Sequence, residues 1–249
     1  MLKEERQYII LEEIKTHNKV YSSLLSKKLD VSEDTIRRDL NELANHGHIK
    51  KVHGGAMANP NIPAEIKHYN ITDKLERQVI AQKAADLISD GQVLILEGET
   101  TSVMMTDYIP KDVAIIIFTN SLLIASKLFH QKGVETIFLG GQLSKRSKVT
   151  VGMDVENALR DVHADLCFIE ASSIHETLGI TEGDRDKALT KKAMLKSSSK
   201  TVALCLSHSI GRMEPFKIEE ANNIDIIISE LEADHASLES IRRKGVQIY

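Results

Sequence analysis

The run Val31-Ser-Glu-Asp-Thr-Ile-Arg-Arg-Asp-Leu40 has the period of a short amphipathic helix. At about 100° per residue, with Ile36 set at zero, Leu40 falls near 40° and Leu43 near 340°, a compact apolar stripe. Arg38 falls near 200°, with Asp34 and Asn41 beside it, while Thr35 and Arg37 flank the stripe. Ser32 precedes the helix as its N-cap. A short helix anchored by aliphatics on one face and carrying arginine on the other suits insertion into the major groove of DNA. The segment that follows, His48-Ile-Lys-Lys-Val-His53, alternates as a strand before the turn residues Gly54-Gly55. It sets Lys50, Lys51 and His53 beside the helix for phosphate contact, and the glycines allow close backbone approach.

Outward from this run, Ile9, Ile10, Leu11 and Ile14 mark a helix over 3–17. Ser22 and Ser23 offer caps to a second helix holding Leu24, Leu25 and Leu29, Asp30-Val31-Ser32 makes a tight turn, and Gly47 closes the third helix. These elements predict a winged helix-turn-helix over 1–58. The aperiodic stretch with Asn59-Pro-Asn-Ile-Pro63 reads as a linker over 59–71. A helix is expected at 74–88. Short apolar runs at 93–96, 114–118, 134–139, 166–169, 201–206, 224–228 and 246–248 then alternate with helical stretches. That alternation predicts a larger, mainly parallel α/β sheet domain over 72–249, covered on both faces.

The chain has 249 residues, of which 42% are hydrophobic and 27% charged, a composition typical of globular proteins. No apolar run approaches a membrane span and no secretory leader is evident, so a cytoplasmic location is expected and no membrane partner. The net charge of −4 is unevenly placed: residues 1–58 carry 10 basic and 9 acidic side chains, net +1, and the rest 22 and 27, net −5. DNA binding therefore rests on local placement, not on bulk charge. Cys167 and Cys205 lie in apolar segments and are expected to be free and buried. His46, His48 and His53 lack a carboxylate or thiol partner, so no metal site is expected, and no nucleotide fingerprint calls for a cofactor.

Three polar clusters follow consecutive strands: Glu97-Gly-Glu-Thr-Thr101, Thr119-Asn-Ser121 and Gly140-Gly141. In open parallel sheets ligands bind beyond the carboxyl ends of the strands, where helix amino-termini present free amides. Small hydroxyl and amide side chains there suit a phosphate or a polyol. They equally suit simple capping, which one cluster alone would suggest.

The run Ser32-Glu-Asp-Thr-Ile-Arg-Arg-Asp-Leu40 followed by His53-Gly-Gly-Ala56 resembles the signature of the DeoR family of bacterial repressors. Gly98-Glu-Thr-Thr101, Thr119-Asn-Ser121, Leu139-Gly-Gly141, Ala164-Asp165 and Lys191-Lys-Ala-Met194 agree in order and spacing, so the resemblance spans the chain. It implies a C-terminal domain similar to ribose-phosphate isomerase that senses a small effector, usually a phosphorylated sugar. Glu97, Gly98, Glu99, Thr100, Thr101, Thr119, Asn120, Ser121, Gly140, Gly141, Asp165 and Lys191 are the candidate effector residues, with Lys191 the natural phosphate partner or, equally, a solvated helix lysine.

Two departures bear on that site. Many relatives carry glycine where this chain has Glu99, and the familiar Asp-x-Ser-Lys segment is Ser207-His-Ser-Ile210 here. Lys187 offers partial compensation. The pocket is thus expected to persist with a less charged ligand, or one held through His208, Lys187 or Lys191. An enzyme would use Glu97, Asp165 and His208 as acid or base; an attached DNA-reading head makes sensing the simpler role. The expected protein is a homo-oligomer, dimer or tetramer, on a double-stranded DNA operator. Thr35, Arg37 and Arg38 frame the major groove, Lys50, Lys51 and His53 grip the backbone, and the expected role is repression of carbohydrate or related metabolic genes, relieved when a small metabolite, by the resemblance a phosphorylated sugar, releases the operator. A second domain that only oligomerises, or that senses an unphosphorylated ligand, is the alternative.

Overall fold

A computed structural model describes residues 3–17, 19–45, 49–58, 73–145 and 147–249. The chain divides into two compact units, Met1–His68 and Tyr69–Tyr249. The linker expected at 59–71 and the helix-ending Gly47, with His46 and His48, lie outside the described residues.

In the first unit α1 (Lys3–His17), α2 (Ser22–Leu29) and α3 (Glu33–Asn45) pack with three short strands, β1 (Lys19–Tyr21), β2 (Ile49–Val52) and β3 (Gly55–Ala58). The strands form an antiparallel sheet in the order β1-β3-β2. Ile36, Leu40 and Leu43 of the wheel stripe join Ile10, Ile14, Val20, Leu25, Ile49 and Ala56 in one core. Asp30 takes the left-handed conformation (φ 49°, ψ 50°) that ends α2 and turns the chain into α3. The expected serine caps of α2 are not made: Tyr21 holds the cap position without a side-chain bond, and the Ser22 amide donates to Gly54 O at 2.9 Å. The wing satisfies that helix start, so no hydroxyl is required. Strand β1 has only three residues, too few to carry a visible alternation.

In the second unit α4 (Lys74–Ala85) precedes β4 (Val93–Leu96), α5 (Thr100–Met105), β5 (Ile115–Thr119), α6 (Leu122–Leu128) and β6 (Val134–Phe138). The hairpin β7 (Gln142–Ser144) and β8 (Val149–Val151) leads to α7 (Met153–Leu159) and β9 (Ala164–Glu170). Strands β10 (Ser173–His175) and β11 (Gly179–Glu182), helix α8 (Arg185–Lys196), β12 (Ser198–Leu204), β13 (Phe216–Glu219), β14 (Ile226–Ile228), α9 (Glu239–Arg242) and β15 (Gln247–Ile248) complete it. Seven strands form a sheet in the order β15-β14-β12-β9-β4-β5-β6, and every neighbouring pair is parallel. All seven apolar runs read from the sequence supply these strands.

Alternation along each strand builds two cores. Leu94, Leu96, Phe168, Val202 and Leu204 face α4, α5 and α6 on one side. Ile95, Cys167, Ile169, Ala203 and Cys205 face α7, α8 and α9 on the other. Both cysteines are free and buried, and burial pushes the thiols up, Cys205 to about 12. After β4 the chain adds β5 and β6 on one side, then crosses to build β9, β12, β14 and β15 on the other. The order therefore reverses between β4 and β9, and in sheets of this kind the carboxyl ends of the two strands at such a point are where a ligand crevice forms.

Candidate DNA-reading face and effector site

Helix α3 opens on Ser32, whose Oγ accepts from the Thr35 amide at 3.2 Å and lies 2.9 Å from Thr35 Oγ1. Arg37 and Arg38 project to solvent and meet Glu33 and Asp34 one turn back, at 3.5 and 2.8 Å. The Arg38 side chain is 81% exposed, so its ion pair is weak and leaves the guanidinium available to another anion. Lys51 Nζ donates to Asn41 Oδ1, tying the wing to α3, and Lys50 and His53 are exposed. Lys51 is the wing residue bonded to α3, while Lys50, its neighbour in β2, points to the opposite face of the strand. Gly54 is exposed at φ 75°, while Gly55 is buried and serves the fold. A Cβ there would lie 1.9 Å from Val20 O, so only glycine lets β3 pair with β1 at this point. Sequence reasoning missed Asp39, which is 2% exposed and takes both Nε and Nη2 of Arg6, joining α1 to α3. Its place at the border of the apolar stripe was the available signal.

At the crevice of the second unit, Glu97 follows β4 and Glu170 ends β9, one on each side of the point where strand order reverses. Glu97 Oε2 accepts the Glu170 amide at 3.1 Å. Arg77, in the first turn of α4, donates to Thr101 Oγ1 at 2.6 Å and to Glu170 Oε1. The other Glu170 oxygen accepts the Thr101 amide at 3.0 Å. Lys191 of α8 reaches under the crevice and is 1% exposed. Its Nζ donates to Glu170 O and to Glu182 Oε2, each at 2.8 Å, with Glu97 Oε2 at 3.8 Å. Lys187, one turn earlier, binds Glu99 at 2.6 Å. Gly98 lets the strand end pass close to its neighbours, since a Cβ would lie 2.4 Å from Val149 Cγ1 and 2.5 Å from Ser121 Cβ.

Burial dominates the electrostatics of this cluster. It pushes the Glu97 carboxyl up to about 8, with the Lys191 ammonium at 3.8 Å the largest opposing influence and the Glu99 charge adding to the rise. Burial also works to raise Glu170 and Glu182, but the Arg77 guanidinium and the Lys191 ammonium respectively outweigh it and hold both carboxylates below their usual range. Desolvation works to lower Lys191, and Glu97 and Glu182 outweigh that and raise it.

The expected residues do not all converge. Glu97, Gly98, Glu99, Thr100 and Thr101 lie at the crevice, joined by Lys191 and Lys187. Thr119, Asn120 and Ser121 are buried supports: Thr119 Oγ1 accepts the Ser121 amide, Asn120 bridges the Gly98 amide and Thr150 O, and Ser121 caps α6. Gly140 and Gly141 follow β6 at the far edge of the sheet, two strands from the reversal point. Asp165 stands at the opposite end. It is the second residue of β9 and accepts the amide of Val93, the first residue of β4, so it braces the amino ends of the strands. Lys191 is not a solvated helix lysine. His208, half-exposed, lies 3.6 Å from Asp73 in the turn before α4. Arg77, Glu170 and Glu182 were not singled out in the sequence, where each looks like an ordinary surface charge.

A small helix-turn-helix head with two exposed arginines on its third helix, followed by a parallel-sheet unit with a charged cluster at its switch point, fits a transcriptional regulator with a sensor domain. Residues 6–61 match the DeoR-like helix-turn-helix domain and residues 72–231 the DeoR C terminal sensor domain. The chain belongs to the DeoR family of DNA-binding transcriptional regulators. It is 31% identical to the HTH-type transcriptional repressor GlcR of Bacillus subtilis, over 100% of this chain and 96% of that one. It is 30% identical to the L-fucose operon activator of Haemophilus influenzae, over 90% and 91%. A ribose 5-phosphate isomerase A from Methanocaldococcus jannaschii overlaps 54% of this chain and 52% of its own at a TM-score of 0.40 and 14% identity. Among the described residues no helix is long and apolar enough to cross a membrane.

Proposed function

We propose that this regulator is a homo-oligomeric repressor of carbohydrate-utilisation genes, released from its operator by a sugar-class metabolite bound in the crevice between β4 and β9. The observation that carries the proposal is the meeting of Glu97, Thr101, Glu170, Lys187 and Lys191 at the one point where strand order reverses. Carboxylates, a threonine hydroxyl and ammonium groups brought together in this way form a set suited to several hydroxyl groups. The naming of one relative for an L-fucose operon supports a carbohydrate theme. In the head, Ser32, Thr35, Arg37, Arg38 and Asn41 face the major groove, and Lys50, Lys51, His53 and the exposed Gly54 face the phosphates. An oligomer sets the spacing of two half-sites. The effector's differential affinity for two head arrangements supplies the switch.

The test is operator binding by fluorescence anisotropy, on a fragment selected from random DNA by the protein itself, with and without each member of a sugar panel. Release by a sugar that also stabilises the protein supports the proposal. At 100 times its dissociation constant that sugar should add about 2.7 kcal/mol. Tight operator binding that no panel member alters, together with no thermal response, would leave a regulator whose second unit only assembles the oligomer.

A further inference from the structure

The crevice already contains its own anions. We propose, building on the assignment of the effector site to the β4–β9 crevice, that the effector is an uncharged polyhydroxylated molecule and that Glu170 and Glu99 exclude its phosphorylated counterpart. Glu170 occupies the place a bound anion would take: one oxygen lies on the Arg77 guanidinium and the other on the Thr101 amide. Guanidinium and helix-start amide are the donors that otherwise clasp a phosphate. A second internal carboxylate acts in the same way, because Glu230 takes the Ser207 amide just past β12, at 3.0 and 3.2 Å.

The remaining cations are also committed. Lys187 is bound to Glu99 at 2.6 Å, with both side chains 22% exposed, at the rim. Lys191 is buried on Glu182 and Glu170 O. Among the described residues of the crevice, Arg77, Lys187 and Lys191 face Glu97, Glu99, Glu170 and Glu182. With Glu97 protonated in its buried setting, the three cations are matched by three carboxylates, and Asp73 also acts on Arg77, so the set carries no spare positive charge. A phosphate ester must then either displace a carboxylate from its cation and leave it uncompensated in a largely buried site, or enter beside it against like-charge repulsion. A neutral polyol faces neither obstacle. Its hydroxyl groups donate to carboxylate oxygens, bonds that are short and strong because the acceptor is charged.

The variants that test this remove negative charge without removing an acceptor. Glu170→Gln keeps an oxygen for the Thr101 amide and frees Arg77. Glu99→Gln frees Lys187 at the partly buried rim, where both side chains are 22% exposed, and serves if the first variant fails to fold. Isothermal titration of the full chain uses inorganic phosphate, glucose 6-phosphate and ribose 5-phosphate as charged probes. D-glucose, D-ribose, L-fucose and ribitol are the neutral ones. The expected result is that the wild type binds a neutral probe and not the phosphates, and that either variant gains affinity for inorganic phosphate by at least about tenfold. Wild-type protein binding a phosphate ester more tightly than the parent sugar overturns the exclusion and leaves the crevice as the effector site. No binding of any probe by the wild type or either variant overturns both assignments.

Discussion

Replacing Glu97 by glutamine should change how stability depends on pH, more than stability itself. The Glu97 carboxyl is buried to 1% exposure, and burial holds its pKa near 8. The folded protein therefore keeps a proton that the unfolded chain releases near the ordinary glutamate value of about 4.3. Unfolded chains then bind fewer protons than folded ones across that window, and stability falls as pH rises through it. The contribution is fully present below the ordinary carboxylate value and is gone once the pH exceeds the folded value. At about 1.4 kcal/mol per pH unit, the part of the window between pH 6 and about 8 amounts to about 3 kcal/mol. Glutamine keeps the acceptor for the Glu170 amide and cannot ionise. Its other partners, and the opposite contributions of Glu170 and Glu182, are common to both proteins and cancel in the difference. Urea unfolding at pH 6, 7, 8 and 9, followed by far-ultraviolet circular dichroism, should thus show Glu97→Gln gaining on the wild type by up to about 3 kcal/mol between the ends of the series. Parallel profiles would refute the reasoning, since they would mean that Lys191, 3.8 Å away, holds Glu97 as a carboxylate throughout.

Lys191→Met should cost about 3–5 kcal/mol by leaving Glu182 buried without its cation, and adding Glu182→Gln should recover a large part; independent, additive losses in the double-mutant cycle would show that the two do not act as a pair. Arg38→Ala should leave thermal stability within about 0.5 kcal/mol, because its bridge to Asp34 is exposed, yet weaken operator binding by about 1–3 kcal/mol. Unchanged operator affinity at fixed salt would take Arg38 off the reading surface.

The periodic parts of this molecule were decided by the sequence alone. Ile36, Leu40 and Leu43 entered the core of the head and Arg38 stayed out of it, because side-chain direction along a helix follows from spacing. The seven apolar runs became the seven parallel strands for the same reason, and the loops that follow them already marked one end of the sheet as polar. What spacing does not encode is partnership. Arg77 and Glu170 are 93 positions apart, and Glu97 lies 73 from the Glu170 amide, so their meeting depends on which strands become neighbours. Asp165 shared a motif with the sensor residues, yet it lies at the amino ends of the strands, since a side chain's end of the sheet is set by its position within the strand. The short antiparallel strands β7, β8, β10, β11 and β13 showed no pattern, for three or four residues carry too little alternation to register. Lys191 shows the difference most directly. The sequence offers a lysine on a helix; only the packing of α8 beneath the crevice removes it from water and surrounds it with Glu170, Glu182 and Glu97, where desolvation compels every charge to find a partner.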